Sequence, residues 1–236
     1  MKLKTVFFIL IFLPVYLIGQ NLKKENLILL AEKYSKSSFH ELIEILSIPN
    51  DANFPNEIEK NIKWCESAFK KRKFTTKRIE TEGAPLLLAE RKHKNASKTV
   101  LVYLQLDGQP VDSTKWKQEN PYLPVVKKMN LEGKWEEVKD FDINTYNEDW
   151  RVFARSASDA KGPVAMFLAS LDAIEELNFS PNYDLKVIMD FEEELGSPNL
   201  SKAVNDNTEL LKSDMLVIFD GPLHDTNKPT LEFGAR

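Results

Sequence analysis

Three short apolar runs stand out along the chain: Thr99–Leu104, Leu185–Phe191 and Met215–Phe219. Each is a nearly continuous series of Val, Ile, Leu, Phe and Met, the pattern of strands covered on both faces. Helical spacing fills the gaps between them. Before the second run, Pro163–Leu177 carries Val164, Phe167, Leu168, Leu171 and Ile174 on one stripe, with Pro163 in the first turn. Pro198–Lys212 plays the same part before the third. Upstream, Asn21–Ile48 reads as one helix stopped by Pro49-Asn50-Asp51. A second helix, Asn56–Lys71, carries Ile58, Ile62, Cys65 and Phe69 on one face, which makes Cys65 a core thiol. Lys73–Ile79 and Pro85–Glu90 read as strands. Strands alternating with helices predict an α/β domain with a mostly parallel central sheet flanked by helices. The polar stretch Asp112–Trp150 breaks this rhythm and reads as an insertion, with a hairpin around Leu131-Glu132-Gly133.

The first 20 residues follow a different logic. Lys2 and Lys4 precede an apolar run from Val6 to Ile18, then Gly19-Gln20 and a polar stretch. That is the layout of a cleaved signal peptide, with an uncleaved membrane anchor as the alternative, and the run is shorter than the roughly 20 residues a spanning helix needs. The expectation is therefore an exported protein, periplasmic or secreted, with no stable membrane insertion after cleavage. The net charge of −4 leaves no basic surplus, which argues against nucleic acid as a partner. One cysteine excludes an internal disulfide framework and a Cys-rich zinc site. Any metal would be held mainly by oxygen and histidine ligands.

Acids follow each apolar run. The first continues into Gln105-Leu106-Asp107-Gly108, the second into Glu192-Glu193-Glu194-Leu195-Gly196, the third into Asp220-Gly221-Pro222. Asp159 lies just before the helix that opens at Lys161-Gly162-Pro163. Ligands of open α/β sheets bind outside the carboxyl ends of the strands, so this pattern delivers several carboxylates to one edge. Carboxylates gathered this way repel unless a cation or shared protons neutralise them. Taken singly, Asp107-Gly108 and Asp220-Gly221-Pro222 are also turn signals, Glu192–Glu194 a solvated acidic run and Asp159 a helix cap. No nucleophile elbow, Walker loop or dinucleotide fingerprint is present.

Four ordered segments carry a specific resemblance: Leu101–Asp112 (LVYLQLDGQPVD), Arg155–Pro163 (RSASDAKGP), Asp190–Ser197 (DFEEELGS) and Leu216–Pro222 (LVIFDGP). Together they resemble the M20 family of metallopeptidases and amidohydrolases, over about Leu22–Arg236. The resemblance implies that Asp159 bridges two zinc ions, that Glu194 binds one and Asp220 the other, and that Glu193 is the general base. It implies that Asp107 orients the metal ligand two residues before it, and that the Asp159–Ala160 peptide is cis. It also implies hydrolysis of amide bonds in peptides or N-acyl amino acids, as dipeptidases and carboxypeptidases do, by a metal-bridged water.

Two departures from that pattern keep other readings open. Where the family has His-x-Asp, this chain has Gln105-Leu106-Asp107, which sets a weak amide oxygen at a metal position. Family members also run further, through a smaller lid or dimerisation domain that supplies a second histidine. Residues 21–236 thus read as the front portion of the catalytic domain, as a fragment or a truncated product, with homodimerisation only through the absent part. His40 and His93 read as surface or packing residues, and His224 as a minor candidate ligand. Beside an exported zinc-dependent hydrolase stand a non-catalytic descendant that binds a peptide or a single metal, and an inactive truncated product.

Overall fold

The computed structural model describes residues 24–145, 147–178 and 181–221, with Thr230 and Gly234. The segment Met1–Gln20, expected to be a signal peptide, and His224 lie outside the described residues. Alternation along the strands builds the core. In β2 (Leu86–Arg91), Leu87 and Ala89 face one side of the sheet, Leu86 and Leu88 the other. β3 (Lys98–Gln105) and β7 (Tyr183–Asp190) repeat this: Val102, Leu104, Val187 and Met189 on the first side, Leu101 and Ile188 on the second. Period-two side chains thus give the sheet two apolar faces. The first is covered by α3 (Pro55–Lys71) and α4 (Lys161–Glu176), through Ile58, Ile62, Cys65, Phe69, Val164, Phe167, Leu168 and Leu171. The second meets α5 (Leu200–Asp206) and α6 (Thr208–Leu211), through Ala203 and Leu211.

The α/β class holds, and the sheet is mixed. Its order is β1-β2-β7-β3-β8, with β1 at Thr75–Ile79 and β8 at Met215–Ile218. The β1–β2 and β2–β7 pairs are antiparallel, whereas β7–β3 and β3–β8 are parallel. The parallel half consists of the three strands that precede the acids. β3 and β7 run in register to Gln105 opposite Asp190, so their carboxyl ends are level. β8 is an edge strand, and its Met215, Leu216 and Ile218 are exposed.

Three boundaries differ from the sequence reading. The first helix is two: α1 (Lys24–Ser37) and α2 (Phe39–Leu46). Likewise Pro198–Lys212 divides into α5 and α6 at Asn207, whose Nδ2 donates to the carbonyl of Ala203 at 2.9 Å. The insertion forms its own sheet, with β4 (Val125–Met129) between β5 (Trp135–Glu137) and β6 (Arg151–Phe153). The β4–β5 hairpin turns through Asn130–Lys134, where Gly133 takes φ 74°. No helix of the described residues is long and apolar enough to cross a membrane.

Two buried cations tie the helices together. Arg72, at the end of α3, donates from Nη2 to Glu41 at 2.6 Å and to Asp172 at 2.6 Å, so it joins α2, α3 and α4. Lys161, fully buried at the start of α4, donates its ammonium to the carbonyl of Ile48 and lies 5.8 Å from the Tyr122 ring centre. Burial pushes the Lys161 amine down to about 7, from 10.5. The folded chain therefore binds fewer protons at this site than the unfolded chain between about pH 7 and 10.5, and stability rises with pH across that window. Lys161→Met is expected to flatten this rise, as measured by urea denaturation at several pH values. An unchanged slope would show that Lys161 is not held in an apolar setting.

Candidate active site

The carboxyl ends of β3, β7 and β8 form one rim, and each strand fixes part of it. β3 ends at Gln105, which is buried, and continues to Asp107, also buried. After β7, a single 3-10 turn over Glu193–Leu195 carries Glu193 and Glu194, both half-buried. Asp220 follows β8, extended by a bond from Phe219 N–H to the Tyr103 carbonyl at 3.2 Å, and is exposed. Asp159 joins them from the segment before α4, also exposed, and its peptide bond to Ala160 is cis.

The Gln105 amide lies between two of these acids. Its Nε2 donates to Asp159 Oδ1 and to Asp220 Oδ1, each at 3.3 Å. Its Oε1 is buried without a partner among the described residues. Glu194 is held elsewhere: its Oε2 accepts from Gln109 Nε2 at 2.9 Å, and its backbone N–H donates to Asp107 Oδ2 at 2.9 Å. Asp107 therefore fixes the acidic turn after β7 through the backbone. Burial, opposed by backbone N–H donors from Glu194 and Glu193, pushes the Asp107 carboxyl up to about 7. Glu193 is also raised above the usual carboxylate range, first by burial and then by the charges of Glu194, Asp220, Asp159 and Asp190. A carboxyl poised this way is suited to taking and returning a proton.

The loop after β3 is locked from below. Asn50 donates from Nδ2 to the Leu106 carbonyl at 2.7 Å, and its own carbonyl accepts from Gly108 N–H at 2.8 Å. A Cβ on Gly108 would come within 2.4 Å of Ser156 Oγ and 3.0 Å of Asn50 Nδ2, so a side chain there would have to push these groups aside. Asp190, buried at the end of β7, accepts from Ser197 Oγ at 2.6 Å and from Glu192 N–H at 3.0 Å, closing the turn that carries Glu193. The remaining sequence candidates lie apart. His93 Nδ1 bonds the Tyr183 carbonyl, at the opposite end of β7 from the acids, and His40 is exposed on α2. Cys65 is buried in the core, where desolvation pushes its thiol well above the usual range, so it is no nucleophile.

A family model described as peptidase family M20/M25/M40 matches residues 106–232, which contain Asp107, Asp159, Glu193, Glu194 and Asp220. The chain belongs to this peptidase family. Among curated relatives, it is 27% identical over 198 residues to the cysteinylglycine-S-conjugate dipeptidase of Corynebacterium striatum, covering 82% of this chain and 39% of that protein. It is 29% identical over 156 residues to the Cys-Gly metallodipeptidase dug1 of Schizosaccharomyces pombe, covering 64% of this chain and 28% of that protein. Among solved structures, it matches the M20 family metallo-carboxypeptidase Sso-CP2 of Sulfolobus solfataricus with a TM-score of 0.65 and 28% identity, over 81% of this chain and 39% of that one. This M20 chain thus spans less than half the length of each of these relatives.

M20 metallopeptidases depend on metal, typically zinc. The described residues of this M20 chain do not make a zinc pair. Among them, no group of three or more His, Cys, Asp or Glu side chains has a metal-holding arrangement. Asp159 and Asp220 meet across amide protons, Glu194 is turned to Gln109, and no imidazole or thiolate of the described residues reaches the rim. Zinc favours nitrogen and sulfur donors, and an amide N–H has no lone pair to give.

Sequence reasoning missed Gln109, Asp190 and Asn50. Asp190 had a signal, as the last residue of an apolar strand. Gln109 had none, because its partner is 85 positions away.

Proposed function

We propose that this chain is the front portion of an M20 catalytic domain that hydrolyses amide bonds in dipeptides or short peptides. The observation that carries the reading is the gathering of Glu193, Glu194, Asp159 and Asp220 at the carboxyl ends of three adjacent strands, with Glu193 raised first by burial and then by the charges of its neighbours. In this reading Glu193 takes the proton from the attacking water and gives it to the leaving amine. Asp107, through the Glu194 backbone, holds Glu193 in place. Substrates of the Cys-Gly class are supported by the names of the curated relatives. Residues 112–150 are an insertion in this domain, and the exposed apolar face of β8 supports further catalytic-domain chain packing there. Export through Met1–Gln20 is supported by its basic, apolar and small-residue layout.

Zinc's part in the reaction rests on likeness to the named metallodipeptidases, since the described residues do not themselves hold it. The position of the Gln105 amide favours one second reading, a non-catalytic descendant that binds peptides. Release of free amino acid from Cys-Gly and related dipeptides by the full-length protein separates the two. Turnover that the Glu193→Gln variant lacks supports hydrolysis. Peptide binding without turnover supports the descendant.

A further inference from the structure

The proposed site has an internal feature that its family likeness does not explain. Asp159 and Asp220 are two exposed carboxylates facing one buried amide, and that amide gives one proton to each. We infer that Gln105 stands in for a metal ion: its Nε2 crosslinks Asp159 to Asp220 and closes this half of the site to zinc.

The alternative orientation of the amide supports the assignment. An amide can be turned over in place, which exchanges its oxygen and nitrogen. Here that would set Oε1 3.3 Å from two carboxylate oxygens with no proton between them, leaving Asp220 Oδ1 only the Gly221 N–H at 2.7 Å among the described residues. In the orientation observed, each carboxylate accepts one amide proton, and Oε1 is left without a partner among the described residues. One unpaired amide oxygen costs less than three mutually facing oxygens, two of them charged. The turned amide becomes favourable only around a hard cation, for which oxygen ligands suffice. Gln109 repeats the arrangement at Glu194, again with an amide N–H on a carboxylate. Two neutral amides thus hold all three acids that the resemblance assigns to metal.

The inference rests on Asp159 and Asp220 belonging to the proposed site, yet its test reads metal content, not turnover. The full-length protein is dialysed against zinc, and separately against manganese, and bound metal per chain is measured. Asp220→Asn is expected to leave the metal content of the wild-type protein unchanged. Gln105→His is expected to gain one zinc per chain, and adding Asp220→Asn to it is expected to remove that gain. A third variant needs no metal. In EDTA, Gln105→Leu removes the crosslink and is expected to lower the melting temperature by roughly 5 °C, since hydrogen bonds to charged groups are lost. Zinc or manganese that wild type loses on Asp220→Asn overturns the inference. So does a Gln105→His protein that gains no zinc, or a Gln105→Leu protein as stable as wild type in EDTA.

Discussion

Glu193→Gln is expected to slow the proposed dipeptide hydrolysis by ~10²–10⁴-fold, the usual range for removal of a proton-transferring side chain. The substitution keeps the shape of the side chain and removes its ability to take a proton. Glu193 is half-buried beside Glu194, Asp220 and Asp159, so losing one charge there does not weaken the fold. Thermal denaturation should show a melting temperature at or slightly above wild type, because one member of a repelling group is gone. Circular dichroism should be unchanged. Turnover within tenfold of wild type would remove Glu193 from the chemistry, whatever its surroundings.

The second large effect concerns the frame that holds the site. Arg72 and Glu41 side chains are each under a tenth exposed, and their 2.6 Å contact is shared with Asp172. Arg72→Met leaves the Glu41 carboxylate buried without its guanidinium. Breaking a buried pair from one side costs about 3–5 kcal/mol, far more than the pair contributes over an apolar replacement. For a chain of this size the melting temperature should fall by roughly 10 °C. Replacing both partners, as Glu41→Leu with Arg72→Met, should recover most of the loss. A single variant within 1 kcal/mol of wild type in urea denaturation would show the pair to be solvated. Because Arg72 also grips α4, whose first residue follows the Asp159–Ala160 segment, the single variant should lower activity even below its unfolding midpoint.

The strands and the helices of the first face were legible because their signals are local. Val, Ile and Leu runs mark buried strands, and the stripe from Val164 to Leu171 marks α4. The breaks at Ser38 and Asn207 were not legible, since neither glycine nor proline stands there and the periodicity continues on both sides. The antiparallel half of the sheet was hidden for another reason: strand order is set by contacts across the fold, not by sequence neighbours. At the site, Asp107, Glu193, Glu194 and Asp220 were legible as acids that follow apolar strands, and Asp159 as the acid just before α4. What the letters could not show was their pairing. Gln105 reads as a poor ligand in a metal position, and only the fold reveals that its amide proton side faces Asp159 and Asp220. Gln109 and Glu194 lie on different strands' loops and meet only in three dimensions.

The position of the Gln105 amide decides whether Asp159 and Asp220 are bridged by a proton donor or by a metal. An X-ray structure of the full-length protein would give the distances from Gln105 Nε2 to the nearest carboxylate oxygens of Asp159 and Asp220. Both are expected within hydrogen-bond reach, about 3.5 Å or less, at the carboxyl edge of β3, β7 and β8. Asp159 and Asp220 on different flanks of the sheet, or separated by a bound metal with Gln105 turned away, would contradict this.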